Sequence, residues 1–447
     1  MIESGPALSD PGISDLTSKA SLLPIGVASP VVHRYPSSLT EHPHRPVRLV
    51  RGCVVGGSGA VNGGYFCRGL PSDFDGWGVT GWAWRDVLDH FRAIETDLDF
   101  ANPWHGADGP IPVRRCTVIA SSTAMFAHAA REAGYPWIAD MNGDSAVAPG
   151  IGAVPLNVVE DIRIGPGTGF LEPALSRPNL TVLTGTSAWR IRIEHGRAVG
   201  VEAVGPGGDT YLTGDRIVLC AGAIGSAHLL MLSGVGDEDT LRHAGVPVLA
   251  PLPVGQHFAD HPEWVLPTDW RTDVDRPVLE VVLSTGDIEI RPYTGGFVAM
   301  MGDRTAGHPD WPHIGVALMR PEARGRITLA SADPRVAPHI EHRYDSASGD
   351  VAALQRGAQL AGELCESTTR IGRPMWSTSQ HLCGTAPIGD DRGGGDDHAV
   401  LDPQCRVRGI DGLWVVDGSI MPAITSRGPH ATIVMIGHRG AEFVRAG

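Results

Sequence analysis

The sequence predicts an α/β chain with a mostly β middle, and three stretches carry that expectation. Residues 180–223, LTVLTGTSAWRIRIEHGRAVGVEAVGPGGDTYLTGDRIVLCAGA, alternate apolar and polar side chains between Gly-rich turns, the pattern of a three-stranded meander leading into a buried strand. From about residue 262 to 345 short apolar runs are mixed with Pro and Trp (EIRPYTGGFVAM, HIGVALMR, GRITLAS), which predicts an antiparallel sheet forming a floor or lid. GLWVVDGSIMP and HATIVMIGHRGAEFV then return the chain to strand and helix.

The remaining elements follow in order. MIESGP puts a short apolar lead before an acid and a chain breaker, which is how a parallel strand ends when its carboxylate faces a ligand. Residues 7 to 50 are rich in Pro, Ser and His and predict an extended segment over a surface, with little regular structure. WRDVLDHFRAIETDLDF spaces Val87, Leu88, Phe91 and Ile94 for a helix, and SSTAMFAHAAREAG repeats the pattern before a Gly stop. DVAALQRGAQLAGELC predicts a further amphipathic helix.

Composition narrows the function classes. At 447 residues with 42% hydrophobic side chains the chain can bury a large core. The net charge of -14 without any basic run disfavours nucleic acid and favours a small-molecule ligand. Seven cysteines with no C-x-x-C indicate neither a disulfide framework nor a zinc ribbon, and predict a reducing, cytoplasmic setting with at most peripheral membrane contact. The charge-free run Ile217 to Gly236 is broken by glycines and reads as strand, turn and helix, not as a membrane span. The acidic, Gly- and Pro-rich start does not read as a signal peptide.

The most specific stretch is RGCVVGGSGAVNGGYFCRGLPSDFDGW, Arg51 to Trp77. Gly56, Gly57 and Gly59 bracket Ser58, so backbone N–H groups can approach an anion closely, with Asn62 and Gly63 in the following turn. In VVDGSIMP, Asp417 follows an apolar strand, with Gly418 and Ser419 expected to open a helix whose N-terminus faces a phosphate; a plain N-cap is the simpler alternative. His257 and His261 stand four apart, but without the Glu of H-E-x-x-H they indicate no metal.

Together these stretches resemble the glucose-methanol-choline (GMC) oxidoreductases, FAD enzymes that oxidise alcohols. Gly52 to Asp75 fits the first signature of that family, and GAIGSAHLLMLSGVG, beginning at Gly222 after Ala221, fits the second except at Ala227. VGQHFADHP, HLCGTAPIG, VVDGSIMP and GPHATIVMIGHRGAEF resemble its later blocks. Closer still, GGSGAVNGGYFCRGLPSDFDGW, HFRAIETDLDF, DGPIPVRR and HLCGTAP are similar to the compact GMC enzymes associated with the mycofactocin redox-cofactor system, whose donor would be a reduced peptide-derived cofactor.

The resemblance implies a Rossmann-like FAD-binding domain over residues 1–69, 160–258 and 396–447, and an antiparallel-sheet substrate domain over 70–159 and 259–395. His381 takes the place of the family's catalytic His, and by itself would read as a hydrogen-bonded core histidine; His430 takes that of a His or Asn facing the same substrate oxygen. A neutral imidazole near pKa 6.5 would take the hydroxyl proton while a second donor holds the oxygen. Val61 stands where some relatives carry a flavin-linking His, so FAD is expected to be noncovalent. Glu3 takes the place of the adenosine ribose ligand. The family's preceding strand and G-x-G-x-x-G do not occur in the sequence, and about 30 further residues encoded upstream, with Met1 an internal Met or a misassigned start, are expected. Two other readings stay open: a non-redox use of the fold, as in hydroxynitrile lyases, and a flavin-free inactive protein. No sequence feature selects oxygen, a quinone or a protein as electron acceptor.

Overall fold

A computed structural model describes residues 1–270, 275–301, 310, 312–366, 369–390 and 398–447. The expected boundary between residues 395 and 396, and parts of the expected lid, lie outside the described residues.

The opening residues do pair as a parallel strand end. Ile2 bridges Leu183 in parallel, and Glu3 donates its N–H to the Leu183 carbonyl at 2.8 Å. The segment that follows is a correction to the extended reading. It forms a helix, Ile13–Ser18, and an antiparallel hairpin of Val32–Glu41 with His44–Gly52. Proline did not prevent this, because His44–Gly52 is the outer strand of its four-stranded sheet and carries Pro46 on an edge; Pro36 faces no second partner, since Val32–Glu41 meets the next strand only at Ser38. The hairpin hands the chain directly to the Gly-rich loop.

The meander is as expected: Ser187–Glu194, Arg197–Gly205 and Gly208–Thr213, all antiparallel. Ile217–Leu219 then runs parallel to Leu413–Val415 and leads into the helix Gly222–Leu232. This parallel pair and the Ile2–Leu183 bridge are separate among the described residues.

The middle of the chain forms a seven-stranded sheet in the order Met375–Thr378, Pro262–Pro267, Pro312–Leu318, Ile288–Gly296, Val281–Ser284, Gly150–Ala153, Trp137–Ile138. Only its last pair is parallel. The helices Ser121–Glu132 and Ser348–Cys365 cover one face through Phe126, Ala130, Leu354 and Leu364, packed on Val281, Leu283, Ile288, Ile290 and Val316. Strand alternation sends the intervening Glu263, Glu289 and Arg291 to the other face. Truncating a buried residue such as Ile290 to Ala would cost about 2–5 kcal/mol, so that one-sided pattern fixes the register.

Candidate active site

The Gly-rich loop closes on itself. The Gly52 N–H donates to Ser58 Oγ at 3.0 Å, Gly56 and Gly57 adopt positive φ (93° and 56°), and Gly57–Ala60 form a short 3-10 turn. A methyl group on Gly59 would lie 3.0 Å from His430 Cε1 and 2.8 Å from Pro166, so glycine there admits the histidine to the loop. Asn62 turns its side-chain oxygen back to the Gly64 N–H at 2.9 Å, while Gly63 has ordinary contact distances to Val278. Glu3 is half-buried. One of its oxygens accepts from the Gly5 N–H at 2.8 Å, and burial pushes its carboxyl above the usual range.

The second Gly turn is held by Asp417. Its Oδ2 accepts from the Gly222 N–H (2.9 Å) and Ser226 Oγ (2.6 Å), and its Oδ1 accepts from the Ser419 N–H (2.8 Å). Asp417 therefore joins the turn after Ala221 to the segment around Gly418. The expected helix does not open there: Gly418–Ile420 is a three-residue 3-10 turn with Asp417 as its cap, and the Ser419 N–H is already taken.

His381 follows Gln380, which is held at φ 64°, and its backbone N–H donates to Asp260 Oδ1 at 2.8 Å. The His261 N–H donates to the same oxygen at 2.8 Å, since residues 259 and 383 are antiparallel bridge partners. The rings meet as well, with the Nδ1 atoms 2.8 Å apart. Asp260 Oδ2 is closed off by His342 Nε2 at 3.1 Å and Thr378 Oγ1 at 2.8 Å. His430 begins the helix His430–Ala446, packs edge-on against Phe66, and leaves Nε2 without a partner. A methyl group on Gly428, two residues earlier, would stand 3.5 Å from His381 Cε1, so the chain leading into His430 passes His381.

Burial and surrounding cations keep these rings neutral. Burial first, then His261 and Arg291, hold His381 well below the ordinary histidine value; burial and Arg291 bring His261 to about 4, and burial and Arg163 bring His430 to about 4. Against the expectation of an unshifted imidazole near 6.5, all three are depressed.

Sequence reasoning passed over the partners of His381. Asp260 and His261 stand in the quoted VGQHFADHP block, but only the strand-like pairing of 259 with 383 puts them beside His381. Beneath lies a charged layer from the polar sheet face: Arg291 donates to Glu289 Oε2 at 2.8 Å and to Ser379 Oγ at 2.8 Å, and Ser379 in turn donates to Glu263 Oε2 at 2.8 Å. His257 and His261 diverge, the first meeting His398 and the second His381. A different group, Glu95, Asp97 and His105, brings metal-type ligand atoms close together. Its His105 uses both ring nitrogens on carboxylates, with Asp140 at 2.7 Å, Arg115 pairs with Asp97 at 2.6 Å and Arg68 pairs with Glu95, so three cations face the three acids.

Comparison with known proteins follows the same lines. A family model described as GMC oxidoreductase matches residues 29–263 through its N-terminal part and 321–437 through its C-terminal part. An uncharacterized GMC-type oxidoreductase in the thcA 5' region of Rhodococcus erythropolis is 40% identical over 454 residues, covering 97% of this chain and 90% of that protein. An oxygen-dependent choline dehydrogenase of Pseudomonas aeruginosa is 32% identical over 468 residues, covering 90% and 82%. Pyridoxine 4-oxidase from Mesorbium loti has the same fold, with a TM-score of 0.87 at 24% identity, covering 100% of this chain and 93% of that one.

Proposed function

This chain belongs to the GMC oxidoreductase family, and on that premise we propose that it oxidises the CH–OH group of an alcohol-type donor, with His381 taking the hydroxyl proton and His430 holding the oxygen. The observation that carries this reading is the neutral His381–His261 pair, anchored by Asp260 and standing against Gly428, two residues before His430. His381 Nδ1 is engaged by His261, which leaves Nε2 to accept. For Nε2 to be unprotonated, Nδ1 must carry the hydrogen and donate it to His261 Nδ1, so His261 fixes the reactive tautomer.

The cofactor is FAD, which when bound supplies the hydride acceptor. The residues present fit it: His430 Nε2 and Thr432 Oγ1 in the first turn of the last helix, and Ser419 Oγ in the turn after Asp417, are buried polar atoms without partners. Gly52, Gly56, Gly57 and Ser58 would line its approach on one side, Asn62 and Gly63 continuing that loop, and Ala221, Gly222 and Gly418 the other; Glu3 would take the ribose. Asp417 acts by fixing those turns. Residues 1–69, 160–258 and 396–447 are proposed as the FAD-binding domain and 70–159 with 259–395 as the substrate domain. Val61 offers no nucleophile, so the flavin should leave with acid or heat; flavin retained on the precipitated polypeptide would refute this.

The finer reading of the donor is a reduced peptide-derived redox cofactor of the mycofactocin type, supported by the compact-subfamily stretches from Gly56 to Trp77 and at His381. Anaerobic titration of the FAD-loaded protein with hydroxyl donors tests the main proposal. Bleaching of the flavin absorbance is the expected result, and no bleaching by any donor would sink it. No described helix is long and apolar enough to cross a membrane.

A further inference from the structure

Arg163 is a buried cation held by carbonyls alone. It is 3% exposed, and its guanidinium donates from Nη1 to Thr17 O (2.7 Å) and Ala60 O (3.0 Å), and from Nη2 to Lys19 O (3.0 Å) and Leu22 O, with Nε unpartnered. Arg68, Arg115, Arg291 and Arg427 each sit against a carboxylate. Arg163 forms no ion pair with a described residue, and Asp161 acts on it only through space. Burial lowers it to about 10, so it stays charged at neutral pH. It heads a segment packed on the Gly-rich loop. A methyl group on Gly165 would lie 2.7 Å from Gly59 O, and one on Gly56 3.1 Å from Gly167 N. A methyl group on Gly59 would meet Pro166 at 2.8 Å and His430 Cε1 at 3.0 Å, so this segment and His430 come together over Gly59. Arg163 bonds the next loop residue, Ala60, and is the charged group acting on His430, whose ring also meets Phe66 edge-on.

An unpaired positive charge beside a buried imidazole opposes a second proton on the ring and favours negative charge on whatever the ring holds. The four carbonyl bonds fix where that charge sits and join residues 17–22 to the loop. We propose that Arg163 is a positioning residue of the alcohol site: through Ala60 it sets the Gly-rich loop beside His430, and its charge favours the negative charge developing on the oxygen that His430 holds. The inference rests on the reading of this site as the alcohol site.

His430 itself reports the field, through titration of its ring proton resonance in the oxidised FAD-loaded protein, the signal being identified by its loss in His430→Asn. No turnover is involved. The wild-type ring is expected to titrate near about 4. Arg163→Gln, which removes the charge but can still donate to two carbonyls, should raise that midpoint by about one pH unit. At about pH 8, where the ring is neutral either way, it should also slow anaerobic flavin reduction about tenfold. Arg163→Lys should leave the midpoint in place and weaken FAD binding about tenfold, since one ammonium cannot serve four carbonyls. A wild-type midpoint near the ordinary 6.5, a shift below about 0.3 unit in Arg163→Gln, or an equal shift in both variants overturns the inference. The wild-type and Arg163→Lys titrations keep that test open even if Arg163→Gln does not fold. Failure of every donor to bleach the flavin would instead count against the function itself.

Discussion

Two buried histidine sites in this molecule have opposite chemistry. His105 sits among Glu95, Asp97 and Asp140, with ring nitrogens 3.0, 2.9 and 2.7 Å from their oxygens, and these acids raise it to about 10 despite burial, so it is an imidazolium. His381 and His261 share one carboxylate through their backbones and lie near Arg291; burial first, and that cation with it, keep them neutral. Residue type is the same in both places. What differs is which charges the fold brings within a few ångströms: acids convert a histidine into part of the scaffold, and cations preserve it as a base.

The largest test of that contrast is kinetic. His381→Ala should slow anaerobic flavin reduction by about 10²- to 10⁴-fold, the usual cost of removing a general base, at unchanged FAD content. A loss of under about threefold, outside that range, would remove His381 from the role. His105→Asn should act on the other axis. Leaving Asp97, Asp140 and Glu95 without their central cation should lower unfolding stability by about 3–5 kcal/mol in denaturant titration, while the folded fraction reduces its flavin at the normal rate.

A pH series sharpens the contrast further. The folded pKa of His105 lies above its ordinary 6.5, so its contribution is complete below pH 6.5 and fades as the pH rises toward about 10. His261 and His430 are lowered to about 4, so theirs is complete above pH 6.5 and fades as the pH falls toward 4. Stability should therefore peak near pH 6.5, with slopes of at most about 1.4 kcal/mol per pH unit per group. His105→Asn should flatten the alkaline limb and leave the acid limb in place. Flavin reduction should stay level on the alkaline side, since His381 is already neutral there, and decline only in acid; a rate rising through pH 7 to 9 would contradict the neutral-base picture.

The positioning role predicted for His261 is smaller. His261→Asn should cost about tenfold through loss of the tautomer-fixing partner, and should move the acid limb of the rate profile along with the rate. A purely structural residue would change the rate without moving the profile. The smallest effect is expected for His430→Asn, under about tenfold, because Asn can still donate a hydrogen bond to the developing charge. Single-turnover flavin bleaching at matched FAD occupancy measures both.

Elements with strong periodicity were legible in the sequence. The helices Trp84–Ile94, Ser121–Glu132 and Ser348–Cys365, the meander and the middle strands all present one continuous apolar face. The hairpin Val32–Gly52 was not legible, because proline weighs against a strand unless the position is known to face an open edge, and edges belong to the sheet. At the proposed site, His381, His430 and the Gly-rich loop could be singled out in the sequence because they sit in contiguous blocks. The helix expected after Asp417 failed for a local reason: the Asp closes a short turn there by capping Ser419 and reaching Gly222.

The sequence by itself thus determined the family, the order of α and β regions, and which two histidines stand near a glycine turn, since each follows from residues within one short window. Tertiary structure alone decided that His261 touches His381 across 120 residues, that Asp260 holds both, and that Arg291 pairs with Glu263 and Glu289 on one sheet face while Arg427 reaches Glu289. It also decided which histidines are charged. Protonation depends on the distances to charges that strand pairing and register bring together, and no window of sequence contains those distances.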